Sequence, residues 1–318
     1  MRNVVTLAEA RRHLKHAMRA LPLVRPLRYA LTGLALACAL PGAEPASRAH
    51  AQVPVAPAAP PSVAAAVRIP NVWNPAERRE RPPFPAQRVV RVLTDDEFPP
   101  LHFASPDGTP TGFAVEIARA ACEELEIVCT IQARRFDTLL DALAEGRGDI
   151  VAAAVPVTAP LRERFGVGHP YFRFPARFVT RRDGPTGAAL PALSGRKVAV
   201  IANTAHEEYL RRHAPALALQ SVPALGPGLT ALRNGEVDAV FADGVALSLW
   251  LHGRLSDDCC RFLDGPFLDN VWFGEGLAFL TRRDDPALQR AFDYALERLW
   301  QRGRYAETYL RFFPVSPF

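Results

Sequence analysis

Leu143-Ala-Glu-Gly-Arg-Gly-Asp149-Ile-Val and Leu232-Arg-Asn-Gly-Glu-Val-Asp238-Ala-Val are two versions of one phrase. Each ends a helix-spaced apolar run and places a glycine where helices stop in left-handed backbone. Each then opens a buried strand with an aspartate. A helix feeding a strand in this way is part of an α/β unit, and two copies imply two similar α/β lobes.

The flanking sequence supports this reading. Val89–Leu93 is a β-branched run and predicts a strand. Gly112–Leu125 carries apolar residues at helical spacing, and Val128–Ile131 reads as strand. Phe136–Ala144 reads as helix and Ile150–Ala154 as strand. After a hinge region the pattern repeats, with strand Lys197–Ile201, helix Thr204–His213, helix Gly228–Asn234, strand Val237–Phe241 and helix Asp243–His252. Strands separated by helices of this length predict parallel sheets with right-handed crossovers. Two helices, Pro286–Trp300 and Tyr305–Arg311, close the sequence.

The 318 residues carry 38 basic and 33 acidic side chains, a formal charge of +5. Eight of the basic residues and only two of the acids lie in the first 51 positions, so beyond them 30 bases face 31 acids. That near balance removes the basic footprint a nucleic-acid binder needs. The first 51 residues read as a secretory signal. Arg19, Arg25 and Arg28 precede the apolar run Tyr29 to Leu40, and Ala49-His50-Ala51 has the small-x-small pattern of a cleavage site. The segment ahead of the apolar run is long if Met1 starts the chain, and Met18 is the alternative start. Residues 52–87 are rich in proline and alanine and predict an extended spacer.

Export implies an oxidising compartment. Cys122, Cys129, Cys259 and Cys260 follow the signal and allow three pairings. The expected one is Cys122–Cys129, joining a helix end to the next strand, for which loop entropy gives about 2.5 kcal/mol. Cys259 and Cys260 are then a vicinal disulfide or free thiols.

From Arg88 to Pro314 the sequence resembles the family 3 extracellular solute-binding proteins, the periplasmic amino-acid receptors of ABC importers. The matching phrases are Phe98-Pro-Pro-Leu-His-Phe103, Asp107-Gly108 and Gly112-Phe-Ala-Val-Glu-Ile117. Further on come Thr158 with Arg162, Pro170-Tyr171, Phe241-Ala-Asp243, Gly276 to Asp284 and Gly303-Arg-Tyr305. Each is weak alone, and their order and spacing carry the match. The Cys122/Cys129 spacing is also similar to a disulfide of histidine-type receptors in the family. The resemblance implies a type II periplasmic-binding-protein fold, α/β throughout, with two Rossmann-like lobes and a two-strand hinge. Lobe 1 is expected at 88–175 plus 275–318 and lobe 2 at 176–274, with the ligand in the cleft between them.

The resemblance also implies roles. Phe98 is expected as an aromatic wall, or else a core phenylalanine, and Phe136 as a second wall. Asp243 is expected to cap its helix and to bind the ligand's α-ammonium. Thr158 caps a short helix whose free amides form an anion site, and Thr204 opens the helix facing it. The family's carboxylate-binding arginine falls at Leu161 here, with Arg162 one residue later. Ala154, Pro156 and Ala205 replace hydroxyl residues of the family. This departure bears on whether a standard α-amino acid is the ligand. His206 reads either as a ligand contact or as a solvated first-turn histidine.

A periplasmic, monomeric binding protein serving an ABC permease is therefore expected, with no catalytic residue, cofactor, metal or nucleic acid. Two alternatives remain. One is a dehydratase-type enzyme on the same fold, with Glu116 or Glu275 as its acid. The other is a sensory or accessory ligand-binding module.

Overall fold

The computed structural model describes residues 69–70, 79–85 and 88–318. The expected signal segment lies outside the described residues, as does most of the expected spacer. The last part of the spacer does have a place. The Arg79 backbone N–H donates to Glu297 at 3.1 Å, and Phe84 packs against the core of the first lobe. An aromatic ring in a proline-rich stretch has apolar area to bury, so the spacer ends docked.

The first sheet is built from β1 (Val90–Thr94), β5 (Cys129–Ala133), β6 (Ile150–Val151), β7 (Phe165–Val167) and β13 (Leu280–Arg282), in the order β5-β1-β6-β13-β7. The second is built from β8 (Ala176–Arg181), β9 (Lys197–Ile201), β10 (Ala218–Val222), β11 (Ala239–Asp243) and β12 (Cys260–Phe267), in the order β10-β9-β11-β8-β12. The two orders are the same once the strands are matched by position. A small antiparallel sheet of β2 (Glu97–Phe98), β3 (His102–Ala104) and β4 (Pro110–Thr111) follows β1.

The expectation of parallel sheets holds for the central strands and needs correction at one side of each sheet. In each sheet three strands pair parallel, β5-β1-β6 and β10-β9-β11, and two more join by antiparallel pairing, so that one strand, β13 or β8, runs against the other four. β13 runs against β6 and β7, and β8 runs against β11 and β12. The added strands belong to chain that enters or leaves a lobe, so helix-to-strand alternation does not mark them. β12 also carries a register shift between Leu263 and Phe267 that blurs its two-residue period.

The helices fall close to their expected places. α1 is Phe113–Leu125 and α2 is Leu139–Ala144, the latter preceded by a 3-10 turn at Phe136–Thr138. α3 is Ala159–Arg164 and α4 is Ala189–Ala192. α5 is Ala205–His213, α6 is Leu225–Asn234 and α7 is Gly244–His252. α8 is Asn270–Phe273, α9 is Pro286–Gln301 and α10 is Arg304–Phe312.

The duplicated phrase does the same work twice. Arg91 N–H donates to the Asp149 carboxylate at 2.9 Å, and Asp149 N–H returns to Arg91 O at 2.8 Å. Lys197 N–H donates to Asp238 at 2.9 Å, and Asp238 N–H returns to Lys197 O at 2.8 Å. Each aspartate thus clamps the entry ends of two parallel strands, where backbone amides would otherwise lack partners. Asp149 is further held by Arg91, Arg88 and Arg282. Against the desolvation that opposes it, these contacts lower its carboxyl to about 2.

The chain passes between the sheets twice, and the two passages pair. Tyr171 N–H donates to Leu277 O at 2.8 Å, and Leu277 N–H donates to Phe172 O at 2.7 Å. Gly276 sits in this pair at φ +103, with Phe172 O only 2.2 Å from where a Cβ would stand. Only glycine fits so close an approach in left-handed backbone. The disulfide Cys122–Cys129 ties the end of α1 to the start of β5, as expected, and Cys259–Cys260 is a vicinal disulfide.

Candidate ligand-binding site

Open α/β sheets receive ligands beyond the carboxyl ends of their parallel strands. In this chain those ends are Thr94, Ala133 and Val151 in one sheet and Ile201, Val222 and Asp243 in the other. Three of the expected site residues are helix caps at these ends. Thr158 Oγ1 accepts from Leu161 N–H at 3.3 Å at the start of α3. Thr204 Oγ1 accepts from Glu207 N–H at 3.3 Å and donates to Ile201 O at 2.7 Å. Asp243 accepts from Ala246 N–H at 2.9 Å at the start of α7. All three follow from sequence chemistry, because short polar side chains before a helix satisfy its first amides.

Asp243 differs from the other two caps. It is half-buried, and among the described residues it makes no ion pair. Desolvation raises its carboxyl from 3.8 to about 6, and the Ala246 and Val245 amides offset this only in part. A carboxylate that has lost water without gaining a cation is a receptor for a cation.

Thr204 is occupied by the fold. With Glu207 it forms a Thr-x-x-Glu box. The Glu207 carboxylate accepts from Asn203 N–H at 2.8 Å and from Arg211 at 2.7 Å, and it bonds Ser221. The first turn of α5 therefore already faces an anion from its own chain. That weakens the expectation of an anion site there.

His206 is not the solvated histidine of the alternative reading. Its ring stacks on Phe273 with centroids 5.0 Å apart and meets Phe241 at 5.8 Å. Burial lowers its imidazole to about 4, so it is neutral at pH 7. Tyr209 extends the same aromatic group to Trp272 and Phe273.

Phe98 is 3% exposed and packs among His102 and Phe174, as part of the first lobe's core. Of its two sequence readings, the core one describes its place in this structure. Phe136 is half-buried at the start of the 3-10 turn after β5 and packs against a second core cluster.

Arg162 is 44% exposed on α3 and pairs with Glu275, which is 39% exposed and 113 residues away. This contact joins the arginine that departs from the family pattern to one of the acids weighed for catalysis. The other acid, Glu116, pairs with Arg119 and Arg311 on the outer face of α1.

One feature was not foreseen from the sequence. His102 is fully buried, its Nε2 accepts Ala154 N–H at 3.0 Å, and its Nδ1 lies 2.9 Å from Asp95. With Nε2 accepting, the ring proton sits on Nδ1 and points at Asp95. His102 thereby ties together the carboxyl ends of β1 and β6. The only hint in the sequence was an aspartate directly after the first strand.

The fold agrees with comparisons to known proteins. The second substrate-binding domain of GlnP from Lactococcus lactis, in its open conformation, superposes with a TM-score of 0.64 at 19% identity, covering 74% of this chain and 99% of that one. The unliganded, open L-cystine solute receptor of Neisseria gonorrhoeae gives a TM-score of 0.63 at 24% identity, over 72% of this chain and 93% of that one. At these identities the likeness establishes the fold, two α/β lobes of the type II periplasmic-binding-protein kind. Among sequence relatives, the L-arginine-binding protein of Pseudomonas aeruginosa is 27% identical over 237 residues, 73% of this chain and 90% of that protein. The lysine/arginine/ornithine-binding periplasmic protein of Escherichia coli K12 is 24% identical over 230 residues, 72% of this chain and 88% of that protein. Residues 90–315 match the bacterial extracellular solute-binding proteins, family 3; the chain belongs to that family, as a binding protein and not an enzyme.

Proposed function

We propose that this chain captures a small amine-bearing metabolite, an amino acid or a close analogue, in the periplasm and delivers it to an ABC permease. The observation that carries the reading is Asp243, a desolvated carboxyl that makes no ion pair among the described residues, at the carboxyl end of a central strand. A protonated amine supplies the missing charge, and a charge-assisted hydrogen bond in a half-dry cleft is strong. The names of the relatives support a cationic amino acid, since those quoted above bind arginine, lysine or ornithine. In this reading residues 88–175 with 275–318 form one lobe, 176–274 form the other, and the ligand lies between them. Thr158, Arg162, Thr204 and Phe136 flank it, while Phe98 supports the wall from the core. The paired passages at Tyr171–Phe172 and Gly276–Leu277 act as the hinge for closure. The protein works as a monomer, exported by the signal in residues 1–51, with the Pro/Ala-rich spacer 52–87 between that signal and the lobes.

A thermal-shift screen of the full chain against amino acids, amines and small carboxylates tests the proposal. A ligand at a hundredfold excess over Kd stabilises by about 2.7 kcal/mol. The expected result is a rise of several degrees with one or more cationic amino acids, abolished by Asp243→Ala. No rise with any amino acid or amine would overturn it.

A further inference from the structure

Arg162 is the one cationic side chain among the expected ligand contacts, and in this structure it is already paired. Its partner, Glu275, comes from the second passage between the lobes, between Gly274 at φ +81 and Gly276 at φ +103. Glu275 thus stands on the hinge itself. The segment's backbone is held from Leu277 onward by the pairing with Phe172, which fixes where the glutamate can reach. Arg162 lies in the last turn of the six-residue α3, four residues after the Thr158 cap and beyond the carboxyl end of β6. The hydroxyls that would share a ligand carboxylate with an arginine are absent here, since Ala154 and Pro156 precede Thr158. The Thr158 hydroxyl accepts from Leu161 N–H and brings only its own uncharged O–H to this wall as a donor. A ligand carboxylate arriving at this wall therefore meets one strong donor, and that donor holds a carboxylate of the chain's own.

We propose that Glu275 acts as a built-in competitor for the ligand's carboxylate. It holds Arg162 in the unliganded protein and is displaced when a carboxylate-bearing ligand binds. The inference rests on the cleft reading above and deepens it by naming what the arginine exchanges. Both partners are well exposed, so the pair is of the weak, water-screened kind that a ligand can replace. The exchange makes affinity for amino acids lower than the site would otherwise have, while affinity for amines without a carboxylate is set by Asp243 alone. It also couples ligand to hinge, because releasing Glu275 frees the segment between the two glycines.

Calorimetric titration of the full chain tests this, using L-arginine, L-lysine and L-histidine, each beside the amine that lacks its α-carboxylate. The proteins compared are wild type, Glu275→Gln, Arg162→Gln and the double variant, each first checked for an unchanged melting temperature. Glu275→Gln is expected to tighten the amino acids by up to about fivefold, the ratio that an exposed pair represents, and to leave the amines unchanged. Arg162→Gln weakens the amino acids, and in its presence the Glu275 substitution has no further effect. A wild type that binds only amines, joined by a Glu275→Gln protein that gains amino acids, also supports the proposal. Unchanged amino-acid affinity in Glu275→Gln, or equal tightening of amines and amino acids, overturns it while leaving the cation site standing. If neither wild type nor Glu275→Gln binds any of these compounds, the cleft reading itself falls, and this inference falls with it.

Discussion

Replacing Asp243 by asparagine separates two roles that one side chain performs. The asparagine Oδ1 can still accept the Ala246 N–H that the carboxylate accepts at 2.9 Å, and asparagine caps helices as well as aspartate does. Only the ionisation is lost. Because the carboxyl is raised from 3.8 to about 6, the folded chain holds this proton more tightly than the unfolded chain. The stability contributed by the protonated form is complete below pH 3.8 and is lost as pH rises through about 6. A shift of about two pH units corresponds to about 3 kcal/mol, all of it forfeited by the unliganded protein at pH 7. Asp243→Asn avoids that loss. In scanning calorimetry without ligand, the variant is expected to melt about 6–12 °C above wild type at pH 7 and close to it at pH 4. It should at the same time lose the stabilisation by amine-bearing ligands. A site that gives up stability for binding behaves in this way. Equal melting of the two proteins at both pH values would refute the argument that the carboxyl is dry and unpaired. A lower melting temperature at pH 7 would show that a cation already pairs with it.

Asp149→Ala should destabilise by about 2.5 kcal/mol at pH 7 without changing ligand affinity, since Asp149 sits at the strand ends opposite the site and its lowered carboxyl marks a stabilising charge. That contribution is present above pH 3.8 and is lost as pH falls through about 2, so chemical denaturation of variant and wild type should converge in strong acid. Replacing Cys122 and Cys129 together by serine opens a loop closed over 7 positions and should cost about 2.5 kcal/mol in guanidinium denaturation. Gly276→Ala places a Cβ 2.2 Å from Phe172 O in left-handed backbone and should lower the melting temperature by about 6–12 °C.

The helix caps of the candidate site were legible because capping is local chemistry. Thr158, Thr204 and Asp243 each stand one residue before a helix, and a short polar side chain there has few alternatives to bonding the next turn. What those caps face was not legible. The Thr204 turn is closed by Glu207, which its Thr-x-x-Glu spacing marks locally, whereas that Asp243 makes no ion pair among the described residues is not marked in its own phrase. His206 reads as an ordinary first-turn residue until Phe273, far along the chain, is laid over it.

The sequence by itself determined the elements that short-range forces set. These are the apolar runs of β1 and β9, the glycine stops before Asp149 and Asp238, and the doubling of one α/β unit into two. Such features depend on backbone preference and on periodicity within a dozen residues. The tertiary structure alone decided the added antiparallel strands, the burial of Phe98 and the pairing of Arg162 with Glu275. It also decided which carboxyl is desolvated without an ion pair among the described residues. Desolvation and ion pairing depend on which distant groups share a volume, and only the folded chain sets that.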